Sequence, residues 1–579
     1  MKLLTKEINA TGAKYLLFYF IFLAVLELLA YLSGGIFSVL ASRIWLLSAL
    51  FCFMLFTVTA IQAVIKDICN HRIMLFVGFL LLLLLFCLRI GNLGYSDSSF
   101  EATLQTAAGL DSFSAKDLNY TDVAFLDYAN RQYVLNALPS LLFGRNVATL
   151  HLGFALPFLL GMTLLYLELR AWLRHLNFRE EYALLPMYAL PVFPYITEYF
   201  MNFEQTLNPL SYTLLGLSLL LRFYRKRDAA GLISLSFVGG MCCNSYTPIL
   251  AFFGFLLVFL TLWGIQMLWS LRTPGTDKNP LQTASNRTLF WQILLCFALV
   301  FQLCCYFAAT LVTRQRDMIT TFHPEPSVLK AILSSWFDFF LDREALFWGI
   351  WLLLLLTYLF FSLSGMLKFH DFLTAGWMML TAFFSSYLTG YTSYDKAHEI
   401  QRNMLMIPVF STAVFFVAVR FFRKHPVHPP KLLLPASLVL LLLLGQYNFC
   451  REHHSFVYYR HVQPMKYMLA YAKDLLAEQG IADTEEFNLI LLTDNRLMSN
   501  LADYTAFFYP EANTYVFAIH NLTDTLPEEI DSSLPTILFC ETAGFPEWLS
   551  GKSDYKDFPN KRYHAIITWH SLALEPATP

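Results

Sequence analysis

Apolar runs of about 20 residues, the length a helix needs to cross ~30 Å of hydrocarbon, recur along the whole chain. They begin near positions 16, 44, 73, 148, 182, 208, 229, 249, 289, 346, 372, 403 and 432. A globular core cannot hide that many such helices. With 57% hydrophobic and only 14% charged residues, against about a quarter charged in soluble domains, the chain must lay much of its surface against lipid. The expected fold class is a polytopic α-helical membrane protein with about thirteen spanning helices. The run at residues 184–200 is the least regular, because Pro186, Pro191 and Pro194 each free a backbone carbonyl that something else must satisfy.

Positive charge sets the expected orientation. Lys2, Lys6 and Lys14 precede the first run, and alternate loops carry "KDICNHR", "RAWLRHLNFRE", "RFYRKRD", "LRTPGTDKNPLQTASNR", "KFHD" and "RFFRKHPVHPPK". These loops and the N-terminus are assigned to the cytoplasm. The remaining loops, and everything after Cys450, are assigned outside, in a bacterial plasma membrane. The first run has full spanning length and no small-residue cleavage site after it, so it reads as a span and not an export signal. Most of the ten cysteines fall inside runs without metal-ligand spacing, and only Cys450 and Cys540 would lie outside, where they could pair. A net charge of −2 gives no footprint for nucleic acid.

Two units follow from the change in pattern, residues 1–450 and 451–579. Beyond Arg451, "MKYMLAYAKDLLAEQG" has helical periodicity ending in glycine, and "FNLILLT", "TYVFAIH", "TILFCE" and "YHAIITW" are strand-like. An extracytoplasmic α/β domain with a small sheet, parallel as one option, is expected. Neither a phosphate-binding P-loop nor a dinucleotide glycine fingerprint is present, which disfavours a nucleotide-powered pump.

The first large outer loop, about 91–147, is long for a connection, and long ordered loops are usually functional. Ser98-Ser-Phe-Glu101 forms a capping box, predicting a short helix through "FEATLQTAAGL". Asp97 lies just before that cap, where a carboxylate serves the helix dipole as readily as it serves chemistry.

Tyr95-Ser96-Asp97, then "FEATLQTAAG", then "NRQYVLNALPSLLFGRN" resembles the first extracytoplasmic loop of GT-C glycosyltransferases, among them protein O-mannosyltransferases and lipid A aminoarabinose transferases. "GGMCCNSYTPILAFFGFLL", "QRNMLMIPVFSTAVFFVAV" and "NFEQTLNPLSYTLLGLSLLLRF" resemble later family segments in order, so that the likeness covers most of residues 73–450. About two extra spans precede the loop, Ser98 stands where many members carry a second acid, and Tyr246-Thr247 replace the usual lysine.

The resemblance implies that residues 1–450 form a transmembrane glycosyltransferase domain. It would transfer a sugar, with inversion, from a polyprenyl-phosphate donor to an extracytoplasmic hydroxyl on a cell-surface glycan, lipid or protein. Phosphate is a good leaving group, so the acceptor chiefly needs a base, and Asp97 fits that role. The leaving phosphate calls for guanidinium forks. Arg402 matches the family arginine, with Arg314 and Arg316 as helpers and His398 or Lys396 nearby. Glu204, Asp122 and Asp127 are candidates for the acceptor or for a divalent cation, although no ligand spacing specifies a metal. Each has a plainer role open: headgroup anchors for the arginines, a helix cap for Glu204, a solvated loop residue for His398. Two rivals stay in view, a polyprenyl-linked glycan polymerase or ligase and a lipid-linked sugar transporter or flippase. The second would place ionisable groups at mid-membrane, whereas here they gather at the outer surface.

Overall fold

In a computed structural model, the residues described are 8, 10–33, 35–70, 72–89, 103, 106, 131–193, 196, 197, 200, 207–243, 250–272, 286–313, 407–424, 432–453, 459–478, 480–482, 485–494, 501–519, 530, 531, 533–541, 555–557 and 563–568. The predicted spans near 346 and 372 lie outside them.

The apolar runs form helices. They are α1 (Ala10–Ser33), α2 (Gly35–Cys69), α3 (Ile73–Arg89), α4 (Arg131–Phe143), α5 (Val147–His175), α6 (Leu184–Ala189), α7 (Leu207–Lys226), α8 (Ala229–Cys243), α9 (Leu250–Arg272), α10 (Asn286–Thr313), α11 (Ile407–Lys424) and α12 (Leu433–His453). Among the described residues, four stretches are long and apolar enough to cross a membrane: Thr11–Ala30, Leu50–Cys69, Val147–His175 and Leu289–Tyr306. Shorter apolar stretches lie in α3, α8, α9 and α12. Tyr15, Phe18, Leu32 and Ile36 are each more than 70% exposed on α1 and α2. Such a face is stable only against lipid or another apolar surface, and the chain is a polytopic helical membrane protein.

The helices α5 and α7 form the centre. They pack more extensively against each other than any other pair, and α7 is buried at every position from Leu207 to Leu220. At 1.5 Å per residue α5 is about 43 Å long, more than the ~30 Å of hydrocarbon a helix must span, and it carries Arg174 and His175 in its last turn. The proline-rich run breaks as its composition demands. A 3₁₀ turn (Glu180–Ala183), the six-residue α6 and a second 3₁₀ turn (Leu190–Val192) replace one continuous span up to Val192. Helix α12 covers this break, and Gly445 allows it, since a Cβ there would lie 3.1 Å from the Pro191 carbonyl oxygen.

Beyond the bundle, α13 (Tyr459–Glu478) leads to β1 (Phe487–Leu492), α14 (Leu501–Phe508), β2 (Ala512–Phe517), β3 (Thr536–Glu541), β4 (Tyr555–Asp557) and β5 (Tyr563–Thr568). The sheet order is β2-β1-β3-β5-β4. The β1 strand pairs in parallel with β2 and β3, and β5 runs antiparallel to β3 and β4, so the sheet is mixed. Every residue of β1 is buried, because it lies between β2 and β3 and both of its faces are packed. Leu489 and Leu491 join the cluster that includes Leu469 and Leu475 of α13, while Ile490 and Leu492 pack with Ile519, Ile530 and Leu538. That two-sided burial is why "FNLILL" reads as a continuous apolar run with no alternation.

Candidate functional site

Two clusters of polar contacts lie at opposite ends of the bundle. At one end, Arg170 of α5 makes a two-pronged ion pair with Asp67 of α2, its Nη2 donating to Oδ1 at 2.7 Å. Arg170 also reaches Glu180 Oε2 at 3.2 Å. Glu180 in turn accepts from Arg72 at 2.8 Å and from Arg174 Nε and Nη2 at 2.8 Å each. Alongside, Arg225 grips Glu168 at 2.7 and 2.9 Å, and Arg222 grips the buried Asp228 at 3.1 and 2.7 Å. The N-terminal Ile8 amide donates to the Arg227 carbonyl, Arg227 donates to Gln292, and Lys14 lies over the Trp291 ring. Segments 8–14, 66–72, 168–180, 222–228 and 291–292 therefore share one end, and all but the last contain or adjoin segments whose charge assigned them to one side.

Burial alone would push the Glu180 carboxyl up, but the hydrogen bonds from Arg174 and Arg72 and the charges of Arg174 and Arg170 outweigh it, holding it at about 2.

At the other end α4 returns against the bundle. Asn136 Nδ2 donates to the Gly153 carbonyl at 2.9 Å and to Asn208 Oδ1 at 3.0 Å, and Asn208 Nδ2 donates back to Asn136 Oδ1 at 2.9 Å. Both side chains are fully buried. Gly153 is required, because a Cβ there would fall 2.0 Å from the Asn136 carbonyl oxygen. The turn into α5 is fixed by Gly144 at φ +86° and by a capping box in which Asn146 and Thr149 bond each other's backbone N–H groups at 3.0 and 3.1 Å. His151 bonds the Phe200 carbonyl, and the Phe86, Phe158 and Phe200 rings pack mutually in edge-to-face and tilted pairs with centroids 5.1 to 5.4 Å apart. Arg145 donates to the Ala506 carbonyl of α14 at 3.3 Å, which puts the sheet domain at this same end.

Asp97, Asp122, Asp127, Glu204, Arg314, Arg316, His398, Lys396 and Arg402 all lie outside the described residues, as does the capping box at Ser98 to Glu101. The helix ends that lead to them are described. Phe86, near the end of α3, packs edge-to-face on Phe200, and α7 begins three residues after Glu204 beside Asn136. Helix α10 starts beside Arg227 and runs past Ser236, which bonds Gln302, away from the basic end towards Thr313. Phe416 of α11 packs edge-to-face on Trp172, near the basic end, so that the N-terminus of α11 at Ile407 points the other way. The ends of α3, α7, α10 and α11 next to the candidate residues thus all point away from the basic cluster, whereas α4 runs antiparallel to α5, with Ser140 on Thr149 and Asn136 on Gly153, so that its Arg131 end points back along the bundle. Among the described residues no group of His, Cys, Asp and Glu could hold a metal ion.

Sequence reasoning missed the Asn136, Gly153 and Asn208 lock. Its one legible signal is an asparagine within each of two apolar helices, where amides hydrogen-bond across helices.

No family model matches the chain, and no curated protein matches it. Two solved structures are similar. ArnT from Cupriavidus metallidurans in the apo state is 13% identical, with 90% of this chain and 100% of that chain covered and a TM-score of 0.34. ArnT from the same organism bound to undecaprenyl phosphate is 12% identical, with 86% and 99% covered and a TM-score of 0.35.

Proposed function

We propose that this protein is a membrane glycosyltransferase of GT-C type, which moves a sugar from a polyprenyl-phosphate donor to an acceptor hydroxyl at the end of the bundle bearing the sheet domain. The observation that carries the reading is the shared direction of four helix ends. The segments carrying Asp97, Glu204, Arg314 and Arg402 leave helices that all point to one membrane surface, as a site built from several loops requires. The basic opposite end, with Lys66, Arg72, Arg170, Arg174, Arg222 and Arg225, supports a cytoplasmic assignment there and an outer location for the reaction.

The chemistry asks little beyond position and charge. Asp97 takes the proton from the acceptor hydroxyl as that oxygen attacks the anomeric carbon from the face opposite the phosphate. The bond from the anomeric carbon to the phosphate oxygen breaks, and the configuration inverts. The departing polyprenyl phosphate keeps the electron pair and is held by Arg402, with Arg314 and Arg316 assisting through two-pronged hydrogen bonds. Glu204, Asp122, Asp127 and His398 are assigned to the acceptor side or to a divalent cation.

The test is transfer itself. Purified protein supplied with labelled polyprenyl-phosphate sugars and cell-envelope acceptors should release polyprenyl phosphate as labelled product forms. Turnover with diphosphate-linked glycans alone would replace this reading with a polymerase or ligase, and movement of the labelled lipid across the bilayer without transfer would replace it with a flippase.

A further inference from the structure

The basic end contains a cleft that the proposed reaction does not use. Helix α2 is buried at Cys52, Leu55 and Phe56 and then at no residue until Asp67. The intervening turns leave a cavity of about 210 Å³ between α2, α5, α7 and α8. Its inner wall is apolar, with Leu55, Phe56, Leu164 and Leu219, and its mouth carries Lys66, Arg72, Arg174, Arg222, Arg225 and Lys226. Ile61 and Ile65 on the same stretch of α2 are each 53% exposed, which sets that wall at the lipid boundary.

The charges there do not balance. Asp67, Glu168, Glu180 and Asp228 are all taken by arginines, with Arg72, Arg170 and Arg174 sharing Glu180. Counting Arg170, seven cations line the cavity, against these four carboxylates. Lys66 and Lys226 form no ion pair among the described residues. Structural pairing accounts for the arginines and leaves the two lysines and the open space unexplained.

We propose that this cleft binds the phosphate headgroup of an anionic membrane lipid from the leaflet at this end, with the lysines on the phosphate and an acyl chain along Leu55, Phe56 and Leu219. A phosphate group satisfies the excess charge, and only a lipid also uses the apolar wall. Lysines at a membrane surface attract anionic headgroups individually and additively. The inference is independent of the transfer reaction at the other end.

The full-length protein in mixed micelles is titrated with dioleoyl phosphatidic acid, dioleoyl phosphatidylcholine and inorganic phosphate, and bound lipid is counted by native mass spectrometry. Phosphatidic acid should bind at one site in strong preference to phosphatidylcholine. Lys66→Gln and Lys226→Gln should each weaken it about fivefold, and together about thirtyfold, with unchanged thermal melting because neither lysine holds a structural pair. Ala63→Trp keeps every charge but fills the cleft, and it should weaken binding as well. Equal binding of phosphatidylcholine, or no loss in the double lysine variant, would overturn the proposal. Loss with the lysine variants but not with Ala63→Trp would reduce it to a diffuse surface field. Displacement of the lipid by inorganic phosphate at equal concentration would assign the cleft to a soluble phosphate and overturn the lipid reading.

Discussion

Asn136 and Asn208 exchange amide hydrogen bonds in both directions, at 3.0 and 2.9 Å, although 72 residues separate them and both are fully buried. The pair ties α4, which ends the first long loop, to the start of α7, the helix that follows Glu204. An amide left without its partner in an apolar interior costs about 1–3 kcal/mol, while interhelical polar pairs in membranes couple by about 0.6–1.7 kcal/mol. We predict that Asn136→Leu and Asn208→Leu each destabilise the folded protein, and that the double variant is less destabilised than their sum. Strict additivity in a denaturation cycle would show that the pair is not coupled.

Gly153 sets how closely α4 can lie on α5. With a Cβ 2.0 Å from the Asn136 carbonyl oxygen, Gly153→Ala must push α4 away or fail to fold, at a cost of at least the ~1–3 kcal/mol typical of overpacking. Gly254 has nothing within 4 Å of a built Cβ, so Gly254→Ala is the control and should melt like wild type. We predict a lower melting temperature and reduced transfer for Gly153→Ala; equal melting of the two variants would contradict the packing described.

Arg170 and Asp67 form an ion pair with side chains 5% and 10% exposed. Removing one partner from a buried pair typically costs about 3–5 kcal/mol, since the other charge stays buried. Arg170→Met should therefore lose much of the folded population, and Arg170→Met with Asp67→Leu should recover part of it. A double variant as unstable as the single one would mean that Arg170 matters mainly through Glu180.

The depressed carboxyl of Glu180 predicts an acid-dependent loss of stability. Its folded value, about 2, lies below the ordinary 4.5, so its contribution is complete above pH 4.5 and is lost as pH falls through 4.5 towards 2. Glu180→Gln has no such carboxylate to lose. The gap in melting temperature between wild type and Glu180→Gln should be widest near neutral pH and should shrink below pH 4.5; a gap independent of pH would remove Glu180 from the network.

Asp97 separates a base from a cap. A cap tolerates asparagine with a loss of about 1 kcal/mol or less, whereas losing a general base typically slows a reaction about a hundredfold to ten-thousandfold. We predict that Asp97→Asn inserts and binds donor but transfers almost no sugar, while Glu101→Gln, which keeps the capping box, stays largely active. Near-normal transfer by Asp97→Asn would move the base to Glu204, Asp122 or Asp127.

The sequence by itself determined the helical membrane class, because runs of about 20 apolar residues have no other stable use. It also determined which loops share an end. The alternation that grouped "KDICNHR", "RAWLRHLNFRE" and "RFYRKRD" is the grouping that the ion pairs of Asp67, Glu168, Glu180 and Asp228 display. Prolines 186 and 191 marked the broken segment, since a ring without an N–H interrupts a helix wherever it falls. "FNLILL", "TILFCE" and the other apolar runs after residue 486 marked strands by local preference, but their order was not legible, because pairing joins residues tens of positions apart. Tertiary structure alone decided that Asn136 meets Asn208, that Gly153 admits α4, that five arginines divide four carboxylates and leave Lys66 and Lys226 over, and that a cleft remains beside α2. Each depends on which helix faces come together. Periodicity along one helix says which face is apolar, and it is silent on which other helix that face will meet.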